Sequence, residues 1–154
     1  IEFADYQCPH CQKAAGVLRK IADRFADDLQ IVFMDFPVNS SGISRTVAQG
    51  AACADLQGKF WPYHDLAFER QAQLRPDSAN QLAGELQLDM ESFQTCLKSN
   101  FPLERIDRSE NEARRLGLSG TPTFFLNGRR LHMHDIDADL VDEITNELNG
   151  EKKS

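Results

Sequence analysis

Two of the four cysteines in this 154-residue sequence, Cys8 and Cys11, lie three positions apart near its start. A Cys-x-x-Cys pair can supply half of a zinc site, or it can form a disulfide that opens and closes during a reaction. A structural zinc site usually draws its remaining ligands from a second close pair. The other two cysteines, Cys53 and Cys96, stand alone and offer no such pair. The spacing therefore favours redox chemistry.

The residues around the pair predict that Cys8 is the reactive sulfur. Pro9 lies where a helix can begin, because proline is well tolerated in a first turn, so Cys8 falls at a helix N-terminus. Free backbone N–H groups and the helix dipole stabilise a thiolate there. His10 can add positive charge or a hydrogen bond to that thiolate. A stabilised thiolate makes the disulfide a stronger oxidant, which predicts a pair that donates its disulfide, with Cys11 as the resolving thiol.

The elements that must position this pair alternate between strand and helix at both ends of the chain. Hydrophobic spacing distinguishes helices from strands, and Asn127-Gly128 is a strong signal for a tight hairpin. Strands are predicted over 1–6, 29–36, 123–126 and 130–133, and helices over 9–26, 44–57, 61–71, 78–87, 90–99, 103–116 and 137–148.

This order, βαβ followed by a block of helices and then ββα, predicts an α/β protein with a thioredoxin-like fold and an inserted all-helical subdomain. We expect the thioredoxin-like core to comprise residues 1–40 and 117–150. The helical insertion is expected over 41–116, and 151–154 is expected to form a flexible tail.

Composition and charge argue against nucleic acid as a partner and against a membrane-spanning helix in this sequence. The formal net charge is −7 and no basic cluster exceeds two residues, so the sequence does not predict nucleic-acid binding. No apolar run approaches the roughly 20 residues that a membrane-spanning helix needs. The chain opens directly in strand-like residues, so we expect the full protein to have further residues upstream of Ile1. We expect a monomer that needs no cofactor.

Several segments of the sequence together resemble the DsbA family of bacterial disulfide oxidoreductases. The match runs in order over nearly the whole chain, and its most specific parts are Cys-Pro-His-Cys and Gly-Thr-Pro-Thr. The segments are 2–11, 58–61 with His64-Asp65, and 120–124 with Asn127-Gly128.

The resemblance implies a dithiol oxidase in the periplasm or another extracytoplasmic compartment. Such an enzyme accepts electrons from reduced, unfolded substrate proteins. It is reoxidised by a quinone-linked membrane partner, either DsbB-like or similar to vitamin K epoxide reductase. Tethering to the membrane would use residues outside this chain.

The resemblance also implies roles for residues away from the redox pair. Pro122 is expected to follow a cis peptide bond beside the cysteines, which leaves the Thr121 backbone to pair with an extended substrate segment. Glu2 matches a family acid beneath the active site. It is expected to be partly buried, with a raised pKa, and to relay the proton of Cys11. Cys53 and Cys96 are either buried free thiols or, as an oxidising compartment favours, a structural disulfide.

Two alternatives remain open at the level of sequence. A reductase or isomerase would use the same chemistry with a different reduction potential, although isomerases of this fold normally carry a dimerisation domain. A metal-binding module would use Cys8 and Cys11 with His132 and His134, which are predicted to share one face of a strand. No third histidine or carboxylate is apparent beside those two, so exposed surface histidines are the simpler interpretation.

Overall fold

Four strands form one mixed sheet in the order β2-β1-β3-β4 in the computed structural model, which describes residues 1–150. Strands β1 (Glu2–Ala4) and β2 (Phe33–Asp35) run parallel. Strand β3 (Thr123–Leu126) runs antiparallel to β1 and to β4 (Arg129–Arg130). This arrangement is the predicted thioredoxin-like fold, while the predicted tail at 151–154 lies outside the described residues.

Helices connect and cover these strands. Helix α1 (Pro9–Arg24) joins β1 to β2, and α7 (Ile136–Leu148) follows β4. The chain between β2 and β3 forms five α-helices, with a short 3-10 turn at Gln71–Gln73 after the second of them. These five are α2 (Ile43–Asp55), α3 (Phe60–Glu69), α4 (Ser78–Glu85), α5 (Met90–Lys98) and α6 (Phe101–Arg115).

The sheet separates two apolar layers, because side chains alternate between its faces along each strand. On one face, α1 and α7 pack together over Phe124, and each fully buried aliphatic side chain there contributes roughly 1.5–3 kcal/mol. On the other face, Phe3 packs against Ala113 and Leu118 at the end of α6. The α1 and α7 side chains buried in this layer are Ala14, Val17, Leu18, Ile21, Leu140 and Ile144.

Strand β2 is shorter than the predicted strand over 29–36. Strand β1 offers only three residues as a pairing partner, and Glu2 donates its N–H to Val32 at 2.9 Å where the ladder ends. Before that point Leu29 and Ile31 are half-buried and pack against the α1 and α7 layer without sheet pairing. The hydrophobic run therefore reflects packing by an irregular segment as well as a strand.

The hairpin forms at Asn127-Gly128, where both residues adopt positive φ angles of 46° and 81°. Strand β4, however, ends at Arg130 and not at 133 as predicted. The ladder closes with the Leu131 N–H donating to Phe124 at 2.9 Å, and Pro122 has no N–H with which to extend it.

The segment after β4 also corrects a second expectation. His132 and His134 are exposed and lie in irregular chain, so they do not share one face of a strand. Within residues 1–150 no group of three or more His, Cys, Asp or Glu side chains is placed to hold a metal ion.

Candidate active site

Cys8 is the residue at which the chain turns from β1 into helix α1. It is the N-cap of the helix, with extended φ and ψ angles of −81° and 119°, and Pro9 occupies the first helical turn. Its backbone is held on both sides, since its N–H donates to Asp5 at 3.0 Å and its carbonyl accepts from Gln12 at 3.1 Å. The residue is half-buried, so part of its surface is open to solvent at the N-terminus of the helix.

Cys11 lies one turn further along α1, and its side chain is fully buried. Burial raises the pKa of the Cys11 thiol well above its ordinary value, and a hydrogen bond with Cys8 adds to that rise. Neither cysteine is in a disulfide in the structure. The two residues therefore differ in exposure, because Cys8 is half-buried and Cys11 has no exposed surface.

The loop before β3 closes the other side of the redox pair. The Thr121–Pro122 peptide bond is cis, and the Cys8 thiol donates to the Thr121 carbonyl oxygen at 3.5 Å. The hydroxyl of Thr123 donates to the Gly120 carbonyl at 2.8 Å, which ties the loop back on itself. The backbone of Thr121, which is 113 positions away in sequence, thus lies within hydrogen-bond distance of the Cys8 sulfur.

Glu2 is buried in the sheet, with only 2% of its surface exposed, and neither carboxylate oxygen has a hydrogen-bond partner within the described residues. It lies on the same sheet face as Ala4, because the two are separated by one residue along β1. Ala4 packs in the apolar cluster that contains Cys11. Burial raises the pKa of Glu2 to about 8, so the carboxyl is largely protonated at neutral pH.

The burial of Glu2 predicts a specific dependence of stability on pH. In the unfolded chain this group titrates near pH 4.5, so between roughly pH 4.5 and 8 the folded protein binds more protons than the unfolded chain. The free energy of unfolding should therefore fall as pH rises through this window, by on the order of 3–5 kcal/mol from this group alone.

Urea unfolding of the Glu2→Gln variant at several pH values measures this contribution. We expect a clearly flatter decline with pH than in the unsubstituted protein. The exposed Glu69→Gln serves as the matched control and should leave the decline as it was. An equally steep decline in Glu2→Gln would show that Glu2 is not the group responsible.

Asp35 is a second buried acid on this sheet face, and sequence reasoning did not identify it. It is 4% exposed, its Oδ1 has no hydrogen-bond partner within residues 1–150, and burial raises its pKa to about 7. Strand β1 pairs Ala4 with Asp35 and Glu2 with Phe33, which places both acids on one face. The only sequence signal was a charged residue inside an otherwise apolar strand.

Side chains from the helical block, which is the chain from α2 to α6, hold the loop between β1 and α1 in place. The sequence analysis did not predict these contacts. The Gln71 amide donates to the carbonyls of Tyr6 and Cys8, both at 2.9 Å. Asp5 accepts hydrogen bonds from the backbone of Gln7 at 2.8 Å and of Asn39 at 2.9 Å, and from the hydroxyl of Ser44. The loop that carries Cys8 is thus fixed from both sides.

Pro9 and His10 project outward from the first turn of α1, and both are exposed. His10, together with Pro122, lines a groove beside the segment after β4. A molecule bound in this groove would therefore contact His10.

The remaining two cysteines form a disulfide in the structure. Cys53 of α2 and Cys96 of α5 are joined, with 5.7 Å between their Cα atoms. Both cysteines are buried in the helical block, and they lie 43 positions apart in sequence. Their bond links helix α2 to helix α5. The bond therefore constrains the block of helices that supplies Gln71 to the active-site loop.

Comparison with known proteins agrees with this architecture. A family model described as thioredoxin matches residues 1–145. Among solved structures, BdbD from Bacillus subtilis superposes with a TM-score of 0.85 at 22% identity, covering 97% of this chain and 86% of that one. The thiol-disulfide exchange protein alpha-DsbA2 from Wolbachia pipientis gives 0.84 at 19% identity, covering 95% and 79%. A thioredoxin-like oxidoreductase from Silicibacter pomeroyi gives 0.81 at 26% identity, covering 96% and 84%.

Curated relatives match over part of their length only. The Na(+)/H(+) antiporter NhaA of Herminiimonas arsenicoxydans is 37% identical over 131 residues, which is 85% of this chain and 21% of the antiporter. NhaA 1 of Salinispora arenicola is 34% identical over 133 residues, 86% of this chain and 20% of that protein. The chain thus spans about a fifth of the length of these relatives. Within residues 1–150 no helix is long and apolar enough to cross a membrane.

Proposed function

Because the chain belongs to the thioredoxin family, and its fold is that of DsbA-type thiol-disulfide oxidoreductases, we propose that it is a dithiol oxidase that introduces disulfides into other proteins. The observation that carries the proposal is the unequal access to the two sulfurs. Cys8 lies at the N-terminus of α1 with part of its surface exposed, and Cys11 lies buried behind it.

The first step begins from the oxidised enzyme, in which Cys8 and Cys11 are joined. A substrate thiolate attacks the Cys8 sulfur, the bond between the two enzyme sulfurs breaks, and Cys11 leaves with the electron pair. A mixed disulfide then joins the substrate to Cys8. Cys11 takes up a proton because its buried position favours the neutral thiol, and Glu2, protonated near neutral pH, is the group we assign to relay it.

The second step releases the product. A second substrate thiolate attacks the substrate sulfur of the mixed disulfide, and Cys8 leaves as a thiolate. The substrate has lost two electrons and two protons and has gained a disulfide, while the enzyme is left as a dithiol. The helix N-terminus and His10 favour Cys8 as the leaving group, because both stabilise a negative sulfur.

The Thr121 backbone and Pro122 are assigned to substrate positioning. The Thr121 carbonyl lies 3.5 Å from the Cys8 sulfur, so a substrate segment joined to Cys8 must pass alongside this loop. An extended segment there can exchange main-chain hydrogen bonds with Thr121 in the manner of an added strand. Such binding depends on the main chain of the substrate and not on its side chains, so many different substrate proteins can bind in this way.

Regeneration requires an oxidant outside this chain. We propose a quinone-linked membrane protein, DsbB-like or similar to vitamin K epoxide reductase, which accepts the two electrons from the Cys8 and Cys11 dithiol. The proposed setting is periplasmic or otherwise extracytoplasmic, where thiols are not kept reduced. The match to one fifth of longer antiporters also allows the same chemistry in a domain of a larger membrane protein.

Oxidative refolding tests the proposal. A reduced, denatured protein that needs disulfides for its activity is mixed with the oxidised chain in the absence of other oxidants. We expect about one substrate disulfide for each enzyme dithiol formed, and recovery of the substrate's activity. If the substrate remains reduced while a known oxidase succeeds under the same conditions, the proposed function is wrong.

A further inference from the structure

A groove of about 550 Å³ lies beside the redox pair, and its lining includes His10 and Lys13 of α1 and Pro122. His10 lies between the two cysteines in sequence, and Pro122 follows Thr121, whose carbonyl oxygen is 3.5 Å from the Cys8 sulfur. Its apolar lining includes Leu131 and Met133. A chain joined to Cys8 that continues past the Thr121 loop can therefore enter this groove.

Every charged or titratable side chain that lines the groove is basic or a histidine. This composition contrasts with the whole chain, which has a formal net charge of −7. Lys13 and Arg130 are exposed, and neither takes part in any of the ion pairs within residues 1–150. The five side chains are His10, Lys13, Arg130, His132 and His134.

We propose that this groove selects substrate segments that carry aspartate or glutamate beside the reacting cysteine. The inference rests on the proposed function, since the segment is brought to the groove by its bond to Cys8. Lys13 and Arg130 attract carboxylates directly, and histidine rings donate hydrogen bonds to them in either protonation state. The apolar lining, with Leu131 and Met133, accommodates the aliphatic parts of the same segment.

The carboxylates closest in sequence to the groove cap the start of α7 and lie outside the groove lining. Asp139 accepts from the backbone N–H groups of His134 at 2.7 Å and Asp135 at 3.0 Å, and Asp135 accepts from Asp137 at 3.1 Å. Neither these three nor any other carboxylate lines the groove within residues 1–150. The positive end of the helix dipole offsets part of their charge.

The overall negative charge of the protein does not prevent local attraction at physiological salt. Charges on the exposed surface are screened beyond roughly 8 Å, so a bound carboxylate interacts mainly with the basic groups of the groove. Exposed ion pairs contribute modestly, and two such pairs correspond to a preference of roughly two- to thirtyfold.

The test uses three reduced dithiol peptides that differ only in the two residues beside the first cysteine, which are Asp-Asp, Asn-Asn or Lys-Lys. The measured quantity is kcat/KM for oxidation by the oxidised chain. Each value is divided by the rate of the same peptide with hydroxyethyl disulfide, because neighbouring carboxylates raise the pKa of the peptide thiol itself. We expect the normalised rate to be roughly two- to thirtyfold higher for Asp-Asp than for Asn-Asn, and lowest for Lys-Lys.

Two double variants separate the groove from the protein as a whole. Lys13→Glu with Arg130→Glu should reverse the order of the peptides. Lys20→Glu with Arg108→Glu makes the same change in net charge at exposed positions outside the groove and should retain the order.

The outcomes also separate this inference from the proposed function. Oxidation of the Asn-Asn peptide with equal normalised rates for all three peptides would overturn the groove inference and leave the oxidase intact. A loss of preference in both double variants alike would overturn it as well, since long-range charge would then explain the effect. If no peptide is oxidised, both proposals are wrong.

Discussion

Replacing Cys8 by serine is expected to abolish oxidative refolding, with a loss of at least about a thousandfold in turnover. A serine hydroxyl cannot form or exchange a disulfide, and the remaining sulfur of Cys11 is fully buried. The substitution removes a single sulfur at a half-exposed helix N-cap, so the variant should fold. Turnover is measured by recovery of activity in the reduced substrate, and folding by the free energy of unfolding.

The matched control is Cys11→Ser, which removes the other sulfur of the pair. This variant should also fail to turn over, but it retains Cys8. The Cys8 thiolate should attack oxidised glutathione, release one glutathione thiolate and accumulate as a mixed disulfide with the other glutathione. Mass spectrometry with proteolysis locates the bond. Two results would contradict the assignment of roles. One is turnover retained by Cys8→Ser. The other is an adduct on Cys11 of Cys8→Ser that forms as fast as the adduct on Cys8 of Cys11→Ser.

Removing the disulfide between Cys53 and Cys96 is expected to cost about 4 kcal/mol of stability. The bond closes a loop over 43 positions, and on the chain-entropy model a loop of this length restricts the unfolded chain by about that much. Both side chains are buried, so alanine at each position also leaves a small packing defect. Denaturant unfolding of the Cys53→Ala, Cys96→Ala double variant gives the change.

The same double variant should still exchange disulfides under conditions in which it is folded, because neither residue belongs to the redox pair. Unfolding of the unsubstituted protein in reductant provides the control, since it opens the same bond without changing the side chains. A loss of less than about 1 kcal/mol would contradict the structural role, as would a folded double variant with no exchange activity.

Local signals were sufficient to predict the elements near the redox pair. Pro9 fixes the first turn of α1 and thereby makes Cys8 the N-cap, as the structure has it. The Asn127-Gly128 dipeptide supplies the two positive φ angles that a tight hairpin requires, and the β3–β4 hairpin forms there. Both predictions depend on residues within one turn of the feature, so no distant contact was needed.

Features set by distant contacts could not be predicted from the sequence. Asp35 is buried because strand β2 lies beside β1, and Gln71 reaches the Cys8 carbonyl across 63 positions of sequence. The end of β4 depends on Pro122 in the loop just before β3, which residues 130–133 alone do not predict. Each of these depends on which elements become neighbours in the folded chain.

The reduction potential of the Cys8 and Cys11 pair tests the central claim most directly. It is measured by equilibrating the protein with glutathione buffers of known ratio and counting free thiols by alkylation and mass spectrometry. A strongly oxidising pair, near the −120 mV or so of a DsbA-type oxidase, is the expected result. A potential near −270 mV, typical of a thioredoxin reductant, or the absence of any Cys8–Cys11 disulfide in oxidising buffer, would contradict the assignment of this chain as a disulfide donor.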